Sequence, residues 1–209
     1  MRPAVLGVHE GLGISRRLPP IVRGGPRISA MELAVLILLG ICAGLVSTVV
    51  KLNLGLPGHN IIRVVFPMVL GLALVPRWGA ASLMGLSGTA TAAVLTIGRS
   101  GGLGVGAMTS LALTGLLLDL ALVGARNGRS VYVGLTLAGL AANACAFLVR
   151  GGSKLLAGGQ VDGLPIELWW PKAAITYPVF GILAGLISAA VWFRIKARQQ
   201  PHTDHEATR

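Results

Sequence analysis

Charged side chains are scarce in this 209-residue chain, where Asp, Glu, Lys and Arg make up 12% of the residues and hydrophobic types 54%. A soluble domain carries about 25% charged residues, so too few charges remain here to coat a globule in water. The mean hydropathy of +0.76 agrees with this. The composition therefore excludes an ordinary soluble enzyme and favours a single domain whose solvent is lipid.

Carboxylates, cysteines and catalytic motifs are also few or missing. Seven acidic residues stand against 18 Lys and Arg, but the cations lie at the chain ends and between apolar runs, which indicates membrane orientation and not nucleic-acid binding. Cys42 and Cys145 fall inside apolar runs and predict buried thiols, without a disulfide or a metal site. Because the chain has no HExxH motif and no P-loop, we expect no enzyme activity, no cofactor and no ATP hydrolysis by the chain itself.

Long apolar runs are what the sequence has instead. A membrane-spanning helix needs about 20 mostly apolar residues. The runs in this sequence are continuously apolar, whereas the strands of a membrane barrel alternate apolar with polar residues. The sequence therefore predicts an all-α, polytopic membrane protein, a bundle of about six transmembrane helices within residues 30–198. The six predicted spans are Ala30 to Val50, Pro57 to Val75, Gly79 to Ile97, Gly106 to Ala125, Val131 to Val149 and Ala173 to Ile195.

The segments outside the spans are basic or polar. Residues 1–29 carry five arginines and no continuous apolar core, which excludes a signal peptide and predicts a disordered tail. Met31 is an alternative start that would leave this tail untranslated, and residues 199–209 form a polar C-terminal tail. With six spans, 12 of the 18 cations fall on the side of the two termini. The positive-inside rule therefore predicts that both termini are cytoplasmic, in the cell (inner) membrane.

The 30 glycines indicate close helix packing, because small residues let helices in lipid approach each other. Gly40 and Gly44 form a GxxxG pair in the first span, which Ser47 extends, and Gly181 and Gly185 repeat the pair in the sixth. Two interpretations remain open: the small faces pack inside the bundle, or the first of them docks onto another membrane subunit.

Polar side chains of the spans converge near one predicted end of the bundle, on the outer side. His59 and Arg63 are four residues apart and share a helix face, and Pro67 cannot donate to the carbonyl of Arg63. Two interpretations remain open. In the first, His59 and Arg63 form an anion site; in the second, Arg63 extends to the lipid headgroups and His59 is solvated. The candidate substrate-binding residues are His59, Asn60, Arg63, Arg99, Thr109, Asn143 and Trp170.

Three further polar or aromatic features allow two interpretations each. Asn143 is costly in lipid and makes either a helix-to-helix hydrogen bond or a ligand contact. Trp169, Trp170 and Tyr177 form an interfacial belt or a binding box. Asp119 makes a salt bridge, for which Arg126 is a candidate partner, or serves as a coupling position.

The chain resembles the substrate-binding S components of energy-coupling-factor transporters for vitamins and metals. The resemblance rests on the stretch Gly55-Leu56-Pro57-Gly58-His59, the apolar helix that follows it, the turn Pro76-Arg77-Trp78-Gly79-Ala80-Ala81, and the glycine-rich loop Gly101-Gly102-Leu103-Gly104. It covers residues 31 to about 198. Metal-type S components place a histidine at the mature N-terminus, and no histidine lies near Met31, so the resemblance favours an organic solute.

The resemblance implies a substrate-binding and translocating subunit for a small, vitamin-like solute, which the basic outer residues suggest is anionic. It implies a lid at Asn53 to Asn60 and a docking face at Gly40, Gly44 and Ser47 for a transmembrane T subunit with ATPase subunits. The alternative is a noncatalytic membrane scaffold or assembly subunit without a transported substrate.

Overall fold

Six α-helices build the protein in the computed structural model, which describes residues 28–50, 56–97, 104–125, 128–156, 160–161 and 164–199. One antiparallel pair of two-residue strands joins the last two helices. The elements are α1 (Ala30–Val49), α2 (Asn60–Leu74), α3 (Ala80–Thr96), α4 (Val105–Gly124), α5 (Gly128–Leu156), β1 (Gln160–Val161), β2 (Leu164–Pro165) and α6 (Ile166–Gln199). The predicted all-α class and count of about six helices are confirmed. Because α1, α4, α5 and α6 are long and apolar enough to cross a membrane, the protein is membrane-embedded.

The helices alternate in direction. Close contacts between α1 and α3 run in the same order along both helices, Gly40 with Met84 and Gly44 with Gly88, whereas contacts between α3 and α4 and between α5 and α6 run in opposite orders. One end of the bundle therefore holds the start of α2 and the β1–β2 hairpin, and we call it the hairpin end. The other end holds the α2–α3 turn, and we call it the turn end.

Helix α2 begins later than the sequence predicts. The predicted start was Pro57, but Gly58 has a φ of +85°, which a right-handed helix does not accommodate, and the helix begins at Asn60. Its 15 residues extend about 22 Å at the rise of an α-helix, and it ends shortly before Pro76. It is one of two shorter apolar helices in the bundle, the other being α3.

Helices α5 and α6 are longer than their predicted spans, with 29 and 34 residues. These lengths correspond to about 43 and 51 Å, against a hydrocarbon core of about 30 Å. At the hairpin end α5 continues past Val149 to Leu156, and α6 begins at Ile166 and not at Ala173. The predicted boundaries are wrong because hydropathy detects only the apolar part of a helix, while the backbone hydrogen bonds continue through polar turns.

The small face of α1 packs inside the bundle. A Cβ atom on Gly40 would lie 2.6 Å from the carbonyl oxygen of Met84, and one on Gly44 would lie 2.5 Å from that of Gly88. Ser47 is buried on the same face and donates to the carbonyl of Ala43 at 2.7 Å. The packing interpretation of Gly40, Gly44 and Ser47 is therefore confirmed. The docking interpretation is corrected, because α3 covers the face that a partner would need.

Two carboxylates fix the turn end. Glu32, in the first turn of α1, accepts from the Arg77 guanidinium at 2.9 Å. Asp119 of α4 accepts from the backbone N–H groups of Ala81 and Ser82 at 3.1 and 2.8 Å and from the Ser82 hydroxyl at 2.6 Å. Asp119 thus caps the N-terminus of α3 from a neighbouring helix, where the helix dipole favours a negative charge. Its predicted partner Arg126 lies outside the described residues, and the observed partner is a helix end.

Candidate functional site

The segment before α2 is fixed to the bundle through Gly58. Its φ of +85° lies in the left-handed region, and a Cβ atom there would be 3.0 Å from the Cα of Tyr177 and 3.2 Å from the Asn143 Nδ2. Glycine is therefore required twice, for the backbone angle and for the close approach of α5 and α6.

Asn143 is 2% exposed and connects three segments of the chain. Its Nδ2 group donates to the carbonyl of Gly58 at 3.1 Å and to the carbonyl of Tyr177 at 2.7 Å. Both amide hydrogens are therefore used inside the protein. Of the two interpretations of Asn143, the structure supports the hydrogen bond between helices. We call Gly58, Asn143 and Tyr177 the latch.

His59 and Arg63 contact each other next to the latch, as their spacing predicts. The Nδ1 of His59 lies 2.6 Å from the carbonyl oxygen of Leu56, and its Nε2 lies 2.8 Å from the Arg63 Nη2. Because a carbonyl only accepts, Nδ1 carries the proton, and Nε2 is then free to accept from the guanidinium. The imidazole also meets the ring of Phe180 edge-on, with 6.3 Å between centroids.

Arg63 retains hydrogen-bonding capacity after this contact. The side chain is half-buried, and its Nε is a buried donor without a hydrogen-bond partner among the residues that the structure describes. One turn further along, Pro67 lacks the N–H that would bond the carbonyl of Arg63. A guanidinium with an unused buried N–H group suits an anionic ligand, since the planar fork of donors matches carboxylate and phosphate.

Aromatic rings extend the hairpin end beyond the latch. The Phe147 ring lies 5.8 Å from that of Trp169, 4.7 Å from that of Trp170 and 5.5 Å from that of Tyr177, centroid to centroid. The Arg150 guanidinium lies 5.9 Å from the Trp169 ring centroid, within the range of a cation–π contact.

Two of these rings do not fit the belt interpretation. Trp169 and Tyr177 are buried and pack against protein, whereas Trp170 is 38% exposed. The expectation of an interfacial belt is therefore corrected for Trp169 and Tyr177, because α5 and α6 extend far enough to enclose both rings.

The remaining predicted site residues divide into three cases. Asn60 is half-buried and begins α2 directly after His59. Thr109 donates its hydroxyl to the carbonyl of Val105 at 2.9 Å, so this group is used within its own helix. Arg99 lies outside the described residues, as do residues 53 to 55 of the lid. The structure thus brings together His59, Arg63 and Asn143, with Trp170 joined to the latch through the aromatic rings.

Sequence reasoning quoted Gly58 but did not recognise it as part of the site, and it missed Phe147. The dipeptide Pro57-Gly58 is a signal for Gly58, because a turn with a left-handed third residue favours this order. Ser110 and Thr114 were missed as a pair: both are buried, and neither hydroxyl has a partner within the described part of the chain.

The letters of residues 98–102, Gly-Arg-Ser-Gly-Gly, match the pattern G-x-S-x-G. In hydrolases this pattern forms a sharp turn between a strand and a helix. Here the preceding element is α3, so the required strand is not the element before the serine, and residues 98–102 themselves lie outside the described ranges. The match carries no catalytic assignment.

Comparison of the chain with protein-family models, with curated proteins and with solved structures gives no match. The function of the chain is therefore inferred from the geometry of the hairpin end. That geometry consists of a latch between three segments, a partly unpaired arginine and a group of packed aromatic rings.

Proposed function

We propose that the chain is the substrate-binding and translocating membrane subunit of an uptake system for a small, anionic, vitamin-like solute. The observation that carries this proposal is Arg63, a charged residue one turn inside an apolar helix of the bundle with an unpartnered, buried Nε. A charge at such a position is costly in lipid and marks a functional site by default. An anionic group of the solute would satisfy the unused N–H and neutralise the charge.

The surroundings of Arg63 support an anion at this place. His59 accepts from Nη2 and orients the guanidinium, but a neutral imidazole is a weaker acceptor than a carboxylate or a phosphate. The N-terminus of α2 has no side-chain cap, so its first backbone N–H groups add to the positive potential. The solute would therefore bind between the start of α2 and the latch.

Orientation and partners follow from the cation count and from the resemblance to S components. With 12 of 18 cations on the side of the termini, the hairpin end faces outward and both termini are cytoplasmic. By the resemblance to S components, transport would use ATPase subunits joined through a transmembrane T subunit, since the chain itself has no P-loop. Because α3 covers Gly40 and Gly44, such a partner would bind another surface of the bundle.

Solute binding by purified protein tests the role of Arg63. A panel of anionic vitamins and other organic anions is screened for a rise in the thermal unfolding midpoint. At least one anion should stabilise the wild type. Arg63→Ala should bind it at least about tenfold more weakly, because a hydrogen bond to a charged group contributes about 1.5 to 3 kcal/mol.

Two variants control for loss of charge and loss of fold. Arg63→Lys should keep part of the affinity, and Arg129→Ala, which removes an exposed cation at the start of α5, should leave it unchanged. If no anion stabilises the wild type, or if Arg63→Ala binds as tightly as wild type, the proposal is wrong.

The second candidate function is a noncatalytic scaffold or assembly subunit. It is favoured by the use of both Asn143 hydrogens within the protein and by the mostly apolar lining of the cavities of about 120 and 320 Å³ among the described residues. A chain that copurifies with a membrane complex but binds no member of the panel supports the scaffold. Copurified ATPase subunits together with solute binding support uptake.

A further inference from the structure

We infer a second binding site at the hairpin end, for one phospholipid with an anionic headgroup. Its acyl chain would lie in an open, shallow groove between the extended ends of α5 and α6, with a volume of about 320 Å³ and a lining of Leu155, Ile166, Glu167, Trp170 and Pro171. The inference does not depend on the proposed solute, because none of these residues contacts Arg63 or His59 in the hydrogen bonds and ring contacts described above.

The Trp170 side chain in the groove is held in place by packing against α5. A Cβ atom on Gly151 would lie 2.7 Å from the Trp170 Cζ3, so glycine at this position lets the indole lie directly on α5. The Phe147 ring holds the indole from another side, with 4.7 Å between centroids. The exposed 38% of Trp170 then forms a fixed apolar surface at a helix end, where tryptophan favours the region between hydrocarbon and water.

One exposed leucine lines this groove, and two others neighbour its lining residues along α5 and α6. Leu155 is 57% exposed, Leu156 92% and Leu168 67%, and all three lie where α5 and α6 extend beyond the predicted apolar spans. Leaving this area in water costs free energy in proportion to its apolar surface. Acyl chains that reach the ends of α5 and α6 would remove that cost. One of these acyl chains would bind in the groove.

Charge selects the headgroup. Arg150, Lys154 and Lys172 belong to the ends of α5 and α6 that form the groove, Glu167 lines its wall, and the sequence between the two helices adds Asp162 outside the described residues. Arg150 and Lys172 also interact with other groups of the protein. Lys154, which directly precedes Leu155 in the last turn of α5, is therefore the cation that we assign to the lipid phosphate.

Native mass spectrometry of the purified full chain tests the site, with phosphatidylglycerol or phosphatidylcholine added at equal concentrations. We expect phosphatidylglycerol to be retained more strongly. Lys154→Gln should weaken its binding about fivefold, the contribution of one basic residue near an anionic surface, and should leave phosphatidylcholine unchanged. Arg129→Gln removes a cation at the opposite end of α5 and should change neither.

The apolar part of the site needs its own variants. Trp170→Ala should weaken both lipids, and Leu155→Asn, a change at an exposed position that leaves the fold intact, should do the same. Equal retention of the two lipids by wild type, or wild-type binding by Lys154→Gln, would overturn the inference. Retention of water-soluble glycerol phosphate as strong as that of phosphatidylglycerol would also overturn the inference, because the groove would then make no contribution to binding.

Discussion

One amide side chain joins three segments that are far apart in the sequence. Asn143 donates to Gly58, 85 residues away, and to Tyr177, 34 residues away. In hydrocarbon an unpaired carbonyl or amide is costly, so the three groups satisfy each other. The start of α2, and with it His59 and Arg63, is thereby fixed relative to α5 and α6.

Replacing Asn143 with alanine should lower the free energy of unfolding by about 1 to 3 kcal/mol, because two hydrogen bonds are lost and two carbonyls lose a donor. The measurement is thermal unfolding of the purified protein in detergent. Thr109→Val is the matched control, since that hydroxyl bonds only within its own helix, and it should change stability by less than about 0.5 kcal/mol. Equal stability of the two variants would contradict the latch.

Gly58 and Gly79 form a natural pair for separating backbone strain from steric conflict. Both have a φ of +85°, but a Cβ atom on Gly79 would meet nothing within 4 Å, whereas one on Gly58 would meet Tyr177 and Asn143. Gly79→Ala should therefore cost about 1 to 2 kcal/mol of stability from strain alone.

Gly58→Ala should cost more, about 2 to 4 kcal/mol, because the strain adds to the displacement of α6. The two variants are compared in the same unfolding assay. If Gly58→Ala is no more destabilising than Gly79→Ala, the claim that Gly58 packs closely against Tyr177 and Asn143 is wrong.

Among the helices, α3 depends on a cap that a neighbouring helix supplies. Asp119→Ala should lower the free energy of unfolding by about 1 to 3 kcal/mol, since the backbone donors of Ala81 and Ser82 lose their acceptor. Ser82→Ala removes only the hydroxyl contact and should cost less, about 0.5 to 1.5 kcal/mol. An Asp119→Ala protein as stable as Ser82→Ala would show that the backbone contacts contribute nothing.

The packing of α1 on α3 gives a prediction for its small face. Gly44→Ala places a methyl group 2.5 Å from the Gly88 carbonyl oxygen and should destabilise the fold by about 1 to 3 kcal/mol. Gly152→Ala, where nothing lies within 4 Å of the added atom, should be neutral or stabilise α5 by up to about 1 kcal/mol. A harmless Gly44→Ala would reopen the docking interpretation.

Hydropathy predicted all six helices of the described residues but not where α5 ends and α6 begins. The apolar window stopped at Val149 and at Ala173, because it registers side chains, while the backbone continues the helix through Arg150 and Glu167. Spacing predicted the contact of His59 with Arg63, which is local. The partners of Asn143 were not predictable, since they depend on how three distant segments pack.

The whole molecule has two unlike ends. At the turn end, Glu32 and Asp119 fix the α2–α3 connection through an ion pair and a helix cap. At the hairpin end, α5 and α6 extend beyond their predicted apolar spans and enclose the Trp169 and Tyr177 rings. The proposed solute site lies at the hairpin end, so we expect the two ends to lie on opposite sides of the membrane, with the hairpin end outward.

Thiol labelling of intact cells tests this arrangement most directly. With Cys42 and Cys145 replaced by alanine, single cysteines are placed at Leu56, which is exposed at the hairpin end, and at Trp78, which is exposed at the turn end. A membrane-impermeant reagent should label Leu56→Cys in intact cells and should label Trp78→Cys only after the membrane is opened. Labelling of Trp78→Cys in intact cells, or of both positions alike, would contradict a membrane-embedded bundle whose hairpin end faces outward.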